Sequence, residues 1–126
     1  MKLILAIAAG GAIGAVGRHL VSAQVMKMVG SGFPWGTVSV NVLGSFIMGV
    51  LVEMMALRWN VGNEMRAFLT VGILGAFTTF STFSLDFATL LERGAGLAAL
   101  GYAALSVVLA VLGLFAGLAI TRAFIS

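Results

Sequence analysis

The sequence has no cysteine, one proline and one histidine. No disulfide and no thiolate metal site is therefore available. His19 has no second metal-type side chain at helical spacing from it. Acidic residues are scarce, with four in the chain, and no apolar stretch carries two of them. A Ser-His-Asp arrangement and a phosphate-cradling loop are also missing. These absences count against an enzyme. Charged residues of both signs make up only 9%, against 61% hydrophobic residues. A soluble domain of this size would expose much of that apolar surface. A bilayer removes the conflict, because lipid is then the solvent.

A spanning helix needs about 20 mostly apolar residues. Four stretches meet that length, at about 3–25, 36–57, 67–91 and 96–120. The linkers are short, so residues 1–126 read as one transmembrane domain with antiparallel neighbours. The expected class is an all-α integral membrane protein with four transmembrane helices. The net charge of +3 is spread along the chain, which argues against a nucleic-acid partner. Lys2, Lys27, Arg58, Arg93 and Arg122 fall at predicted helix ends, where such residues anchor membrane proteins. The N-terminus imitates a secretion signal, but its apolar run continues past any cleavage site.

Orientation follows the Lys/Arg excess in short loops. The side with both termini, side A, holds Lys2, Arg58, Arg66 and Arg122. The opposite side, side B, holds Lys27 and Arg93, with Arg18 near that end. The excess is small. It leaves open one fixed orientation or dual topology, in which copies insert both ways and pair antiparallel.

Gly10, Gly14 and Arg18 share one face of the first helix, and Gly113 and Gly117 share one face of the fourth. Small residues at this spacing let helices approach closely, and packing is the ordinary reading. Thr37, Asn41, Gly44, Ser45 and Met48 form a stripe on the second helix. A lone membrane Asn more often joins helices than binds a ligand. Tyr102 and Ser106 stand one turn apart on the fourth helix.

The third stretch is unusual. From Gly75 to Asp86, phenylalanines alternate with hydroxyls and few aliphatic residues intervene. Thr pairs beside glycines weaken a helix, so a break is expected between Gly75 and Thr79, near the bilayer middle. Broken helices are tolerated where freed backbone is buried or lines a cavity. Freed carbonyls there suit a cation and freed N–H groups an anion. Phe77, Phe80, Phe83 and Phe87 form an aromatic stripe. Thr79, Thr82 and Asp86 form a hydroxyl line ending in a carboxylate. The positive edge of a Phe ring can also face an anion. Intramembrane charges are functional candidates. Arg18 and Asp86 lie at similar depth, as an ion pair or as a positive field at an anion entrance. Glu53 reads as a snorkelling residue near a helix end.

Residues 75–84, Gly-Ala-Phe-Thr-Thr-Phe-Ser-Thr-Phe-Ser, closely resemble the signature of the Fluc family of bacterial fluoride channels (CrcB-type). Pro34-Trp35-Gly36-Thr37 with Asn41 and Gly44 resembles that family's second helix, and the Gly10, Gly14, Arg18 spacing its first. The resemblance covers the whole chain in length and helix count.

It implies an antiparallel dual-topology homodimer in the bacterial inner membrane, with two parallel fluoride pores. It also implies passive export of cytoplasmic fluoride. HF crosses the membrane and dissociates inside, and the trapped anion leaves down its own gradient. By resemblance, Asn41 is a pore donor, and Phe80 and Phe83 present ring edges to fluoride. Gly75 and Thr78 lend backbone carbonyls to a structural sodium ion at the dimer axis. Arg18 lies near a vestibule, and Tyr102 and Ser106 continue a polar track. Thr37, Thr79, Ser81, Thr82 and Asp86 complete the candidate pore set. Asp86 stands where the family usually has Glu, so its reach to Thr37 is one methylene shorter.

The rival reading is a small multidrug-resistance-type proton-coupled exporter, which relies on a carboxylate in its first helix. Here the first helix has Arg18 and no acid. An accessory subunit of a larger complex would not need the hydroxyl-Phe segment.

Overall fold

The computed structural model describes residues 1–30 and 32–125. It is all-helical, and four helices are long and apolar enough to cross a membrane. They are α1 (Lys2–Val29), α2 (Trp35–Leu57), α3 (Asn63–Glu92) and α4 (Gly96–Ile125). Each runs past one or both ends of its apolar stretch. The extra turns carry residues such as Lys27 and Arg122, whose cations suit a helix C-terminus.

The turns follow local chemistry. α1 stops at Gly30, whose φ of 87° suits glycine. Pro34 precedes α2, where its missing N–H costs nothing. Gly94, with φ of 80°, turns the chain from α3 into α4.

Principal partners alternate along the chain. α1 packs mainly on α3, and α2 mainly on α4. Glycines make both contacts possible. A Cβ at Gly14 would stand 2.1 Å from the Ile73 carbonyl oxygen, and one at Gly10 2.4 Å from that of Phe68. On the other pair, Gly49 meets the Leu114 carbonyl and Gly117 that of Phe46 at similar range. The glycine faces are therefore packing faces within one chain.

α3 is not uniform. One α-helical turn (Asn63–Arg66) leads into a wider π-helical stretch (Ala67–Leu74) against the glycines of α1. Gly75–Phe77 is again α-helical. Thr78 is extended (φ −88°, ψ 155°), and the α-helix resumes at Ser81–Glu92. The departure thus covers Thr78 to Phe80, while Gly75 itself is helical.

Few large side chains are fully buried; Tyr102 and Val40 are the largest. Large apolar residues such as Leu5, Val16, Leu97 and Phe115 face outward, as lipid contact requires.

Candidate functional site

Asn41 organises the non-helical segment. Its Nδ2 donates to the Thr79 carbonyl at 3.1 Å, and its Oδ1 accepts from the Thr79 N–H at 2.8 Å. A side-chain amide here replaces the two partners a helix would supply. The cause lies on both helices. Gly44 leaves room for the Thr78 methyl, 2.3 Å from where its Cβ would be. Thr78 turns its own hydroxyl back to the Leu74 carbonyl at 3.0 Å.

The diverted donors free two carbonyls. In a continuing helix Thr79 N–H would bond the Gly75 carbonyl and Thr82 N–H that of Thr78. Instead Thr79 N–H bonds Asn41, and Thr82 N–H donates to Thr79 Oγ1 at 3.2 Å. Gly75 is exposed on the surface of the single chain. Among the described residues no group of three His, Asp or Glu could hold a metal.

Two cavities meet at Thr79. The first, about 250 Å³, is lined by Asn41, Ser45, Thr79, Phe80, Phe83 and Ser106, among others. Phe80 is 77% exposed at its rim, and its ring centroid lies 5.4 Å from that of Phe83. Phe83 in turn lies 5.1 Å from Tyr102. Ser106 Oγ is buried and has no hydrogen-bond partner among the described residues. A free hydroxyl in an apolar wall costs stability unless something else takes it. Asn41 keeps one amide hydrogen beyond the one given to Thr79. The first cavity thus brings an unpartnered hydroxyl and a spare amide hydrogen beside two phenyl rings.

The second cavity, about 310 Å³, is lined by Arg18, His19, Ser22, Thr37, Thr79 and Thr82, with Met26, Ala23 and Val40. Arg18 Nε donates to the Ala76 carbonyl at 3.1 Å. The guanidinium is held against α3 just before the non-helical segment.

Asp86 anchors a separate network. Thr37 Oγ1 donates to its Oδ2 at 2.7 Å and Tyr102 OH to the same atom at 3.0 Å. Both donors are buried. The shorter aspartate therefore still reaches Thr37. Asp86 lines a third, smaller cavity with Met26, Thr89 and Arg93.

Four sequence expectations need correction. Arg18 and Asp86 make no ion pair among the described residues, because each is bonded elsewhere. Glu53 does not snorkel: it is 8% exposed and pairs with Arg122 at 2.5 Å. The four phenylalanines form no single stripe, because the chain turns between Phe77 and Ser81. Phe77 is buried beside Gly17 and Gly44, Phe80 and Phe83 line the first cavity, and Phe87, half-buried, packs against the core cluster of Val38, Leu90, Ala99 and Tyr102. The hydroxyl line also divides, since Thr79 and Thr82 face the second cavity and Asp86 the third. Ser81 is exposed, and its hydroxyl lies 3.4 Å from Thr79 Oγ1.

Sequence reasoning gave no role to Ser45 beyond a stripe, nor to Met26. Met26 lines the second and third cavities, and its sulfur accepts the Gly36 N–H at 3.3 Å. A Gly36 Cβ would meet Ser22 Oγ at 2.3 Å, so Gly36 was the available signal of this contact.

A four-helix membrane protein with a mostly apolar, phenylalanine-lined cavity that holds a few polar groups beside an interrupted helix is the class so defined. Residues 5–118 match the family model described as CrcB-like protein, Camphor Resistance (CrcB). The chain belongs to that family. It is 57% identical over 122 residues to a protein of Rhodospirillum centenum named fluoride-specific ion channel FluC, covering 97% of each chain. It is 53% identical over 120 residues to the protein of that name from Agrobacterium fabrum, covering 94% of this chain and 95% of the relative. A Chelativorans relative of the same name is 51% identical over 125 residues, covering 99% of this chain and 100% of its own. The chain is a multi-pass bacterial membrane protein.

Proposed function

We propose that this chain forms a passive, fluoride-selective channel that exports cytoplasmic fluoride and relieves its toxicity. The names of its relatives support the ion. The observation that carries the reading is the buried, unpartnered Ser106 hydroxyl facing the same cavity as Asn41, Phe80 and Phe83. Fluoride is small and strongly hydrated. A path for it needs replacement donors in a narrow space, and this cavity holds them. Arg18 in the adjoining cavity supplies a positive field at its approach.

The working unit in this reading is two copies in opposite orientations in the inner membrane, with two pores. The first cavity is an open groove on the single chain, and Phe80 projects from its rim. A second copy would close the groove. The interruption at Thr78 to Phe80 then lies near the bilayer middle. The freed Gly75 and Thr78 carbonyls fit a sodium ion on the dimer axis, because Gly75 lies at the exposed surface. Carbonyl oxygens alone suit a hard monovalent cation.

Fluoride efflux from liposomes holding the purified protein tests the function. Efflux well above empty liposomes is expected, and none above that background overturns the reading. A reporter fused to the C-terminus tests the topology. Signal from both sides of the membrane is expected, and signal from one side removes dual topology.

A further inference from the structure

The hydroxyls near the first cavity fall into two groups. Thr78 donates to the Leu74 carbonyl. Thr79 Oγ1 is engaged by the Thr82 N–H and lies close to Ser81. The Ser45 and Ser106 hydroxyls make no hydrogen bond among the described residues. Both line the same cavity, from opposite helices α2 and α4.

Ser45 also lines a neighbouring cavity of about 270 Å³ that leads on along α2 and α4. The other residues there are Gly44, Met48, Thr78, Ala110, Val111 and Leu114. Thr78 is committed to Leu74, so Ser45 holds the one uncommitted side-chain donor among those residues. Past Ser106, the α4 side of the path is Ala110, Val111 and Leu114, which offer an anion nothing. Ser45 lies one helical turn beyond Asn41 on the same face, a rise of about 6 Å.

We propose that Ser45 binds the permeating anion directly, receiving it from Asn41 and Ser106 and carrying it toward side A. This inference rests on the channel reading above. It adds a donor on α2 where α4 provides none. The free Ser45 O–H points its hydrogen to the ion, and no proton changes hands.

Fluoride efflux from liposomes is compared for Ser45→Thr and Ser45→Val, which share shape and differ by one hydroxyl. A hydrogen bond to a charged partner is worth about a factor of ten or more. The Val variant should therefore be about tenfold slower than the Thr variant, with both eluting as the same assembly from gel filtration. Equal rates for the two overturn the proposal. If either fails to assemble, Ser45→Ala, which adds no bulk, is compared with wild type. A loss of about tenfold supports the assignment and an unchanged rate overturns it. Wild-type protein without efflux overturns the channel reading itself, and the role of Ser45 falls with it.

Discussion

Asn41 holds Thr79 by both atoms of its side-chain amide, donating to the Thr79 carbonyl and accepting from the Thr79 N–H. This clamp satisfies backbone groups that hydrocarbon cannot satisfy. It also explains how α3 departs from a helix at Thr78 to Phe80 without stranding those groups.

Asn41→Ala removes both bonds. Each buried backbone group left unpaired costs about 1–3 kcal/mol. Thermal unfolding in detergent should show a clear drop in midpoint, and fluoride efflux should fall with it. Asn41→Asp keeps the acceptor for the N–H but sets a carboxylate oxygen against the Thr79 carbonyl. Its efflux should also fall, through lost donors and a charge of the wrong sign for an anion. Wild-type efflux from the Asp variant would remove Asn41 from the path.

Phe80 stands at the rim of the first cavity with most of its ring uncovered. Phe80→Ile keeps an apolar side chain but removes the positive ring edge. Efflux should fall sharply while gel filtration shows the same assembly. Unchanged efflux would reduce the ring to packing.

Thr37 and Tyr102 share one acceptor, Asp86 Oδ2. Thr37→Val and Tyr102→Phe should each destabilise the protein by about 1.5–3 kcal/mol, the usual worth of a bond to a charged group. The double variant should lose more than the sum, because the carboxylate is then left without either donor. A double-mutant cycle on unfolding free energies measures that coupling, with about 0.5–3 kcal/mol expected. Simple additivity would show that the two hydroxyls act independently. Asp86→Glu should alter the efflux rate without abolishing it, since the extra methylene changes a reach already satisfied at 2.7 Å.

Gly14→Ala drives a methyl into the Ile73 carbonyl, and overpacking of this kind costs about 1–3 kcal/mol. Gly11→Ala is the control, because nothing lies within 4 Å of its would-be Cβ. Its unfolding midpoint should hold or rise, as Ala favours a helix over Gly by about 1 kcal/mol. A Gly14 variant that holds its midpoint as the Gly11 control does would show that the α1–α3 contact yields easily.

Much of this was legible in the sequence, because span length and hydropathy are additive properties. Four apolar stretches gave four helices, and paired glycines marked their contacts. The departure of α3 was expected between Gly75 and Thr79 from the Thr and Gly content, and it begins later, at Thr78, and runs to Phe80. Propensity pointed from Gly75 onward, whereas Asn41, far off in sequence, holds the non-helical backbone at Thr79. Glu53 misled for a related reason. A carboxylate near a helix end usually reaches water, but Arg122 packs beside it from α4. The phenylalanine stripe failed once the helical period it assumed was lost. Asn41, Phe80, Phe83 and Ser106, singled out on three different helices, nevertheless line one cavity.

The alternating partnership of the helices bears on how the chain is made. α1 and α2 emerge first, yet each has its main contact with a helix synthesised later. Until α3 arrives, the Gly10 and Gly14 face has nothing to close against. Until α4 arrives, the same holds for Gly49. Both glycine faces therefore stay open until the later helices are made, so the packed bundle is completed only with the fourth segment.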